Sequence, residues 1–163
     1  MNESYKNMRN FWTHETIYDK KAKFPTIGDN NISVAGIEFC MTDGQNKIKN
    51  IFLAASTLGD ASMYYENNSK SGIGGTIGGK NHPEMKAAAE DFLNKTAELN
   101  NLMEIASQLP EAKLYHTTFF AVSEKHLFVK QIANEEALKT DNPFHQIFLS
   151  TQALIGAFRS IQQ

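Results

Sequence analysis

The clearest chemical signal in the sequence is a glycine-rich stretch that ends in a lysine, "GGTIGGK" at positions 74–80. Its spacing matches the first seven positions of the GxxxxGK phosphate-binding loop, in which backbone N–H groups surround a phosphate and the lysine reaches the outer phosphates. Asn81 stands where that loop carries the Ser or Thr that binds magnesium. The strand expected before it is antiparallel, whereas the loop normally follows a buried parallel strand. Nucleoside triphosphate binding is therefore disfavoured.

A weaker anion site at the same place is still a hypothesis, because a glycine-rich loop that enters a helix presents free N–H groups to an anion. The candidate ligand-binding residues are Gly74, Gly75, Gly78, Gly79, Lys80 and Asn81. The structural alternative is that Gly72–Gly79 forms an edge strand or a flap under the following helix, anchored by Ile73 and Ile77. Glycines favour such a role because they allow another chain segment to approach closely.

Other residue types that could do chemistry are present but show no spacing typical of a catalytic or metal site. The five histidines are His14, His82, His116, His126 and His145. They form neither an HExxH nor an HxH pattern, and the single cysteine, Cys40, excludes both a paired-cysteine metal site and an intramolecular disulfide. Cys40, His116 and Asp60 could converge as nucleophile, base and acid, but no motif indicates it. We expect no metal, no cofactor and no catalytic residue, so an enzyme is disfavoured.

The elements that would position these residues follow from the apolar periodicity. Residues 4–22 have apolar residues at helical spacing, with Ser4 as a possible cap. Strands are predicted at 32–41, 48–55, 61–67, 113–122 and 126–133, the first of them half-buried and the last two forming a hairpin around 123–125. A long helix is predicted from Asn81, as N-cap, to Leu109, and a final helix after Asp141-Asn142-Pro143.

This order, α-βββ-α-ββ-α, predicts an α+β fold with a five-stranded or slightly larger antiparallel sheet and helices packed on it. At 163 residues the chain is expected to form one domain, 1–163. The layout is similar to that of class I secretion chaperones, which are small cytoplasmic dimers that bind an unfolded stretch of an effector. It is also similar to roadblock and profilin-like modules, whose helices flank a five-stranded sheet and which form dimers. The resemblance concerns element order only, so no functional residue is carried over from these families.

Charge and composition narrow the possible partners. The 16 basic and 18 acidic residues give a net charge of −2, whereas nucleic-acid-binding domains usually carry a basic excess. The basic residues form no long run that could make a membrane-surface patch. The sequence also shows neither a signal peptide nor an apolar run near the roughly 18 residues that span a membrane. We therefore expect a cytoplasmic protein that binds neither nucleic acid nor membranes.

The aromatic residues exceed what one face of the sheet can easily hide. Either helices cover both faces and these residues fill the core, or a protein partner covers part of them. The leading hypothesis is a non-enzymatic protein-binding module, a homodimeric adaptor or chaperone-like protein that holds another protein. The alternatives are a small-ligand or anion-binding protein that uses residues 72–80, and an immunity protein that inhibits a toxin.

Overall fold

The computed structural model describes residues 1–15, 24–66, 72–78 and 81–161. The strands are β1 (Ile32–Thr42), β2 (Ile48–Ser56), β3 (Ala61–Glu66), β4 (Ile73–Gly78), β5 (Glu104–Ala106), β6 (His116–Ser123) and β7 (Leu127–Ala133). The helices are α1 (Glu3–Asn10), α2 (Pro83–Leu99), α3 (Asn134–Ala137) and α4 (His145–Ile161). A π-helical turn (Phe11–Glu15) follows α1, and a 3₁₀ turn (Asn100–Leu102) follows α2.

The strands form one antiparallel sheet in the order β4-β3-β2-β1-β6-β7-β5. This confirms the predicted α+β class and antiparallel sheet, but the sheet has seven strands and the predicted core set had five. The two additional strands, β4 and β5, are its edges. Neither shows a strand pattern in the sequence, because β4 is rich in glycine and β5 has only three residues.

β1 lies at the centre of the sheet, and the prediction that it is half-buried is wrong. Its first nine residues are all buried, because elements cover both faces of the sheet at this point. Small residues at Ala35 and Gly36 made the sequence look alternating. In the structure they allow close packing on both sides.

One face of the sheet, here called the helix face, is covered by α2 and α4. Phe39, Leu53 and Phe119 project from the strands into this core, and Phe92 and Phe158 project from the helices. Ser150 of α4 donates a hydrogen bond of 2.7 Å to Asp91 of α2, which joins the two helices.

The opposite face, here called the N-terminal face, is covered by α1, its π-helical turn and the segment that precedes β6. Tyr5 and Trp12 pack there against Phe52 and Phe120, and Leu109 closes the cluster. The rings of Phe52 and Phe120 stack with their centroids 5.2 Å apart. Both faces of the sheet therefore have an apolar core.

Several predicted boundaries need correction. The long helix does not run from Asn81 to Leu109: His82 occupies the cap position without a side-chain hydrogen bond, and α2 ends at Leu99. Apolar residues after Leu99 continue the helical period by chance, in the 3₁₀ turn and β5. Asn2 caps α1 through a bond from Tyr5 N to its side chain, in place of the predicted Ser4. Residues 16–22 of the predicted first helix lie outside the described part of the chain.

The hairpin and the last helix are close to the prediction. Val122 pairs with Leu127, one position away from the predicted register. Asn142 accepts a hydrogen bond of 2.9 Å from the backbone of Phe144 just before α4. The predicted apolar stripe of α4 includes its buried residues Ile147, Thr151, Leu154 and Phe158. None of the described helices combines the length and the apolar character needed to cross a membrane.

Candidate functional site

The glycine-rich stretch forms the edge strand β4, so the structural alternative describes its conformation. Gly74, Gly75 and Gly78 all lie in β4 and pair with residues of β3. A Cβ at Gly74 would lie 2.5 Å from the Tyr65 ring, and one at Gly75 would lie 2.5 Å from the Met63 carbonyl oxygen. These glycines are explained by close packing, since no side chain fits at either position.

This geometry gives little support to the hypothesis of an anion site. Gly79 and Lys80 lie outside the described residues. Asn81 is exposed just before α2, and the three described glycines run along a paired strand instead of wrapping around an empty space. Binding of an anion at the start of α2 stays a prediction.

The second candidate set, Cys40, His116 and Asp60, is only partly brought together. Cys40 pairs across the sheet with His116 on one side and Asn50 on the other. Asp60 lies in the β2–β3 connection, where its carbonyl oxygen bonds Ser56 N at the far end of β2. Burial, together with the charges of nearby glutamates, raises the pKa of the Cys40 thiol. A neutral, buried thiol is a weak nucleophile.

Metal binding has no support among the residues that the structure describes. Three or more His, Cys, Asp or Glu side chains do not cluster anywhere in that part of the chain. The His116 ring is instead engaged locally, with Nδ1 3.0 Å from the carbonyl oxygen of Leu114.

The site that sequence reasoning did not locate is a groove of about 380 Å³ on the helix face, here called the apolar groove. It lies between α4 and the ends of β1, β2, β3 and β6. Its floor is formed by Met41, Ile51 and Met63, its wall by Phe148 and Ile155 of α4, and its rim by Leu138, Gln152 and Arg159. All three floor side chains are only partly buried.

Strand and helix periodicities explain why these side chains share one groove. Phe39 pairs with Ile51, and Leu53 pairs with Met63. Alternate residues of neighbouring strands therefore point to the same face, which places Met41, Ile51 and Met63 side by side. On α4, the lining residues at 148, 152, 155 and 159 recur at spacings of three and four and so lie along one side of the helix. The sheet extends beyond α4, and the groove is the uncovered strip.

The polar groups of the groove are few. Thr117 donates a hydrogen bond of 2.8 Å to the Asn134 side chain, so the Thr117 hydroxyl at this edge of the groove already has a partner within the protein. Arg159 is the one charged side chain among the described lining residues, and it forms no ion pair with any described residue. The groove thus offers an apolar floor with one unpaired cation at its rim.

The sequence held part of this signal. Phe148 and Ile155 lie at the helical spacing of apolar residues that predicts α4. The aromatic excess gives no such signal, because Trp12 and Phe120 fill the core of the N-terminal face. Which part of the stripe stays uncovered depends on how far the sheet extends past the helix, and periodicity does not contain that information.

Comparisons with protein-family models, with curated proteins and with solved structures each found no match. The resemblance to secretion chaperones and roadblock-like modules is therefore one of element order alone. The functional assignment depends on the geometry of this chain.

Proposed function

We propose that this chain is a non-enzymatic, cytoplasmic protein-binding module, a homodimeric adaptor or chaperone-like protein, and that the apolar groove holds its partner protein. The observation that supports this proposal is the partly buried apolar floor of Met41, Ile51 and Met63 beside α4. Folded proteins usually cover such side chains, and apolar strips that stay open commonly mark interaction surfaces.

The shape and charge of the groove favour an amphipathic helix as the bound segment. The groove runs along α4, so a helix laid into it would place its apolar side chains at spacings of three and four on the strand floor. An acidic residue next to that apolar stripe would pair with Arg159. This pairing fixes the orientation of the bound helix and discriminates against basic segments.

The energetics are compatible with a moderate affinity. Covering a half-exposed apolar side chain contributes on the order of 1 kcal/mol. Leu138, which is 50% exposed, supplies one such increment, and the partly buried floor residues supply smaller ones, before the cost of association is subtracted. We therefore expect each disrupted contact to weaken binding measurably without abolishing the fold.

A matched pair of substitutions tests this proposal. Leu138 lies on the groove rim and is 50% exposed, and Leu102 lies in the 3₁₀ turn, outside the groove, and is 47% exposed. Leu138→Glu should therefore weaken binding of a purified partner about tenfold or more, because it places a carboxylate against the apolar stripe. Leu102→Glu should leave the affinity unchanged.

Calorimetric titration of a partner, first recovered with the wild-type chain and then purified, measures both affinities. Equal affinity of the two variants would show that the partner binds elsewhere. Arg159→Glu provides a second variant, and we expect it to weaken binding of an acidic partner helix while leaving the thermal stability unchanged.

The homodimer is tested separately by size-exclusion chromatography with light scattering. We expect twice the chain mass, 36.6 kDa from two chains of 18.3 kDa. A strict monomer at micromolar concentration would contradict the dimer, but it would not contradict partner binding in the groove.

A further inference from the structure

A buried ion pair joins α1 to the centre of the sheet. Arg9 Nη2 donates to Glu38 Oε2 at 2.8 Å and to the carbonyl oxygen of Pro110 at 2.6 Å. Arg9 is 8% exposed and Glu38 is 1% exposed. Burial raises the pKa of Glu38, and the charge of Arg9 opposes that shift.

The hydrogen bonds around this pair are incomplete within the described part of the chain. Arg9 Nη1 reaches only the sulfur of Met1, at 3.7 Å, and thioether sulfur is a weak acceptor. Arg9 Nε and Asn50 Oδ1 are buried and have no partner among the described residues, whereas Glu38 lies close enough to the Tyr5 hydroxyl to accept a hydrogen bond from it. Buried polar groups are nearly always paired, so their concentration at one place points to a missing partner.

A polar cleft of about 490 Å³ lies directly beside these groups. Its lining includes Lys6 and Arg9 of α1, Cys40 and Asn50 of the sheet, and Glu111 of the segment before β6. The volume is within the range of roughly 300–1,000 Å³ that is typical of small-molecule sites.

The charges that line the polar cleft are separated by sign. Lys6 and Arg9 are three residues apart, on the same side of α1, and Glu111 lies on the segment before β6. Neither Lys6 nor Glu111 forms an ion pair with another described residue. The cleft therefore holds one cation, Lys6, and one anion, Glu111, that no described residue pairs, beside Arg9, whose charge is shared with Glu38.

We propose that the polar cleft binds a free amino acid as a zwitterion. Its carboxylate lies between Lys6 and Arg9 Nη1, and its ammonium group faces Glu111. Apolar surface at Ile48, Leu109 and Leu114 in the same cleft receives its side chain. The polar cleft is on the N-terminal face and the apolar groove is on the helix face, so this site does not depend on the protein-binding function proposed above.

Calorimetric titration of the full chain with each standard amino acid tests the proposal. We expect at least one of them to bind. Its analogue without the amino group and its analogue without the carboxylate should each bind about tenfold or more weakly, since each loses one charge-assisted contact.

Lys6→Glu and Glu111→Lys should each weaken binding of the amino acid about tenfold or more. Lys125→Glu is the matched control. Lys125 is an exposed lysine in the β6–β7 turn, at the other end of the sheet, and its substitution should change nothing. Circular dichroism checks that each variant is folded. Glu111 is exposed, so Glu111→Lys should fold and still tests the site if Lys6→Glu is unstable. The proposal is overturned if no amino acid binds, if an analogue binds as well as the intact amino acid, or if Lys125→Glu has the same effect as Glu111→Lys.

Discussion

Replacing Arg9 with Met should destabilise the protein by about 3–5 kcal/mol at pH 7, because it leaves the Glu38 carboxylate buried without a cation. Glu38 is 1% exposed and lies at the middle of β1, so Arg9 is the cation that compensates its charge. The carbonyl oxygen of Pro110 loses its hydrogen-bond donor in the same variant.

The size of this effect follows from the protonation of Glu38. Without Arg9 the carboxyl group can avoid the charge penalty by binding a proton, and from its ordinary pKa of 4.5 this costs up to about 3.4 kcal/mol at pH 7, at about 1.36 kcal/mol per pH unit, less the part that the wild type already bears through its own raised pKa. The lost bond to Pro110 adds about 1 kcal/mol. The charge part of the deficit shrinks to near zero as the pH falls to about 4.5.

The stability of the wild-type protein should also contain a contribution from Glu38 that falls as the pH rises. A carboxyl group whose folded-state pKa is raised above its unfolded value contributes most stability at low pH and loses it as the pH rises. Glu38→Gln removes this dependence, so the stability difference between Glu38→Gln and wild type should move in favour of the variant as the pH increases from 4.5 to 7.

Urea unfolding followed by circular dichroism, at pH 5 and pH 7, measures these differences. Arg9→Met combined with Glu38→Leu is the control, because it removes both charges and should recover most of the loss. An Arg9→Met deficit that is equal at the two pH values, or a double variant that is no more stable than Arg9→Met, would refute the reasoning.

Two further predictions concern stability. Gly36→Ala should lower the stability by about 3 kcal/mol or more, since its Cβ would lie 2.0 Å from the buried Phe120 ring. Gly156→Ala on α4 should raise the stability by roughly 0.5–1 kcal/mol, because its Cβ would meet nothing within 4 Å. Urea unfolding of both variants checks that the two effects have opposite signs. Asn142→Ala should cost about 1 kcal/mol through loss of the bond from Phe144 N, read as a lower thermal midpoint, and an unchanged midpoint would show that this bond does not stabilise the start of α4.

Local signals in the sequence predict the fold where they agree with one another. The start of α4 combines a capping residue, a proline and an apolar stripe, and the helix begins two residues from the proline. The end of α2 was mispredicted because Leu102 and Met103 continue the apolar period across a 3₁₀ turn. For β4 the sequence offered an edge strand only as one alternative, since glycine carries no facial pattern and its pairing depends on Tyr65 and Met63 packing against it.

Neither candidate site could be located from the sequence, because each depends on how segments far apart in the chain pack together. Arg9 and Pro110 are 101 residues apart in the sequence, and their contact depends on how α1 docks across the sheet. The apolar groove is defined by the strip of sheet that α4 leaves uncovered. Composition does not locate it, because the aromatic excess fills the cores on both faces of the sheet, and only the positions of the helix and the strand ends define the strip.

The most direct test of the central claim is site-specific photo-cross-linking from the apolar groove in living cells. Benzoylphenylalanine is placed at position 138, on the groove rim, and separately at position 102, which is equally exposed but outside the groove. Protein binding in the groove predicts a discrete cross-linked partner from position 138, with the link mapped by mass spectrometry to an amphipathic helix, and no such product from position 102. An equal yield of the same product from both positions, or no product from position 138, would contradict it.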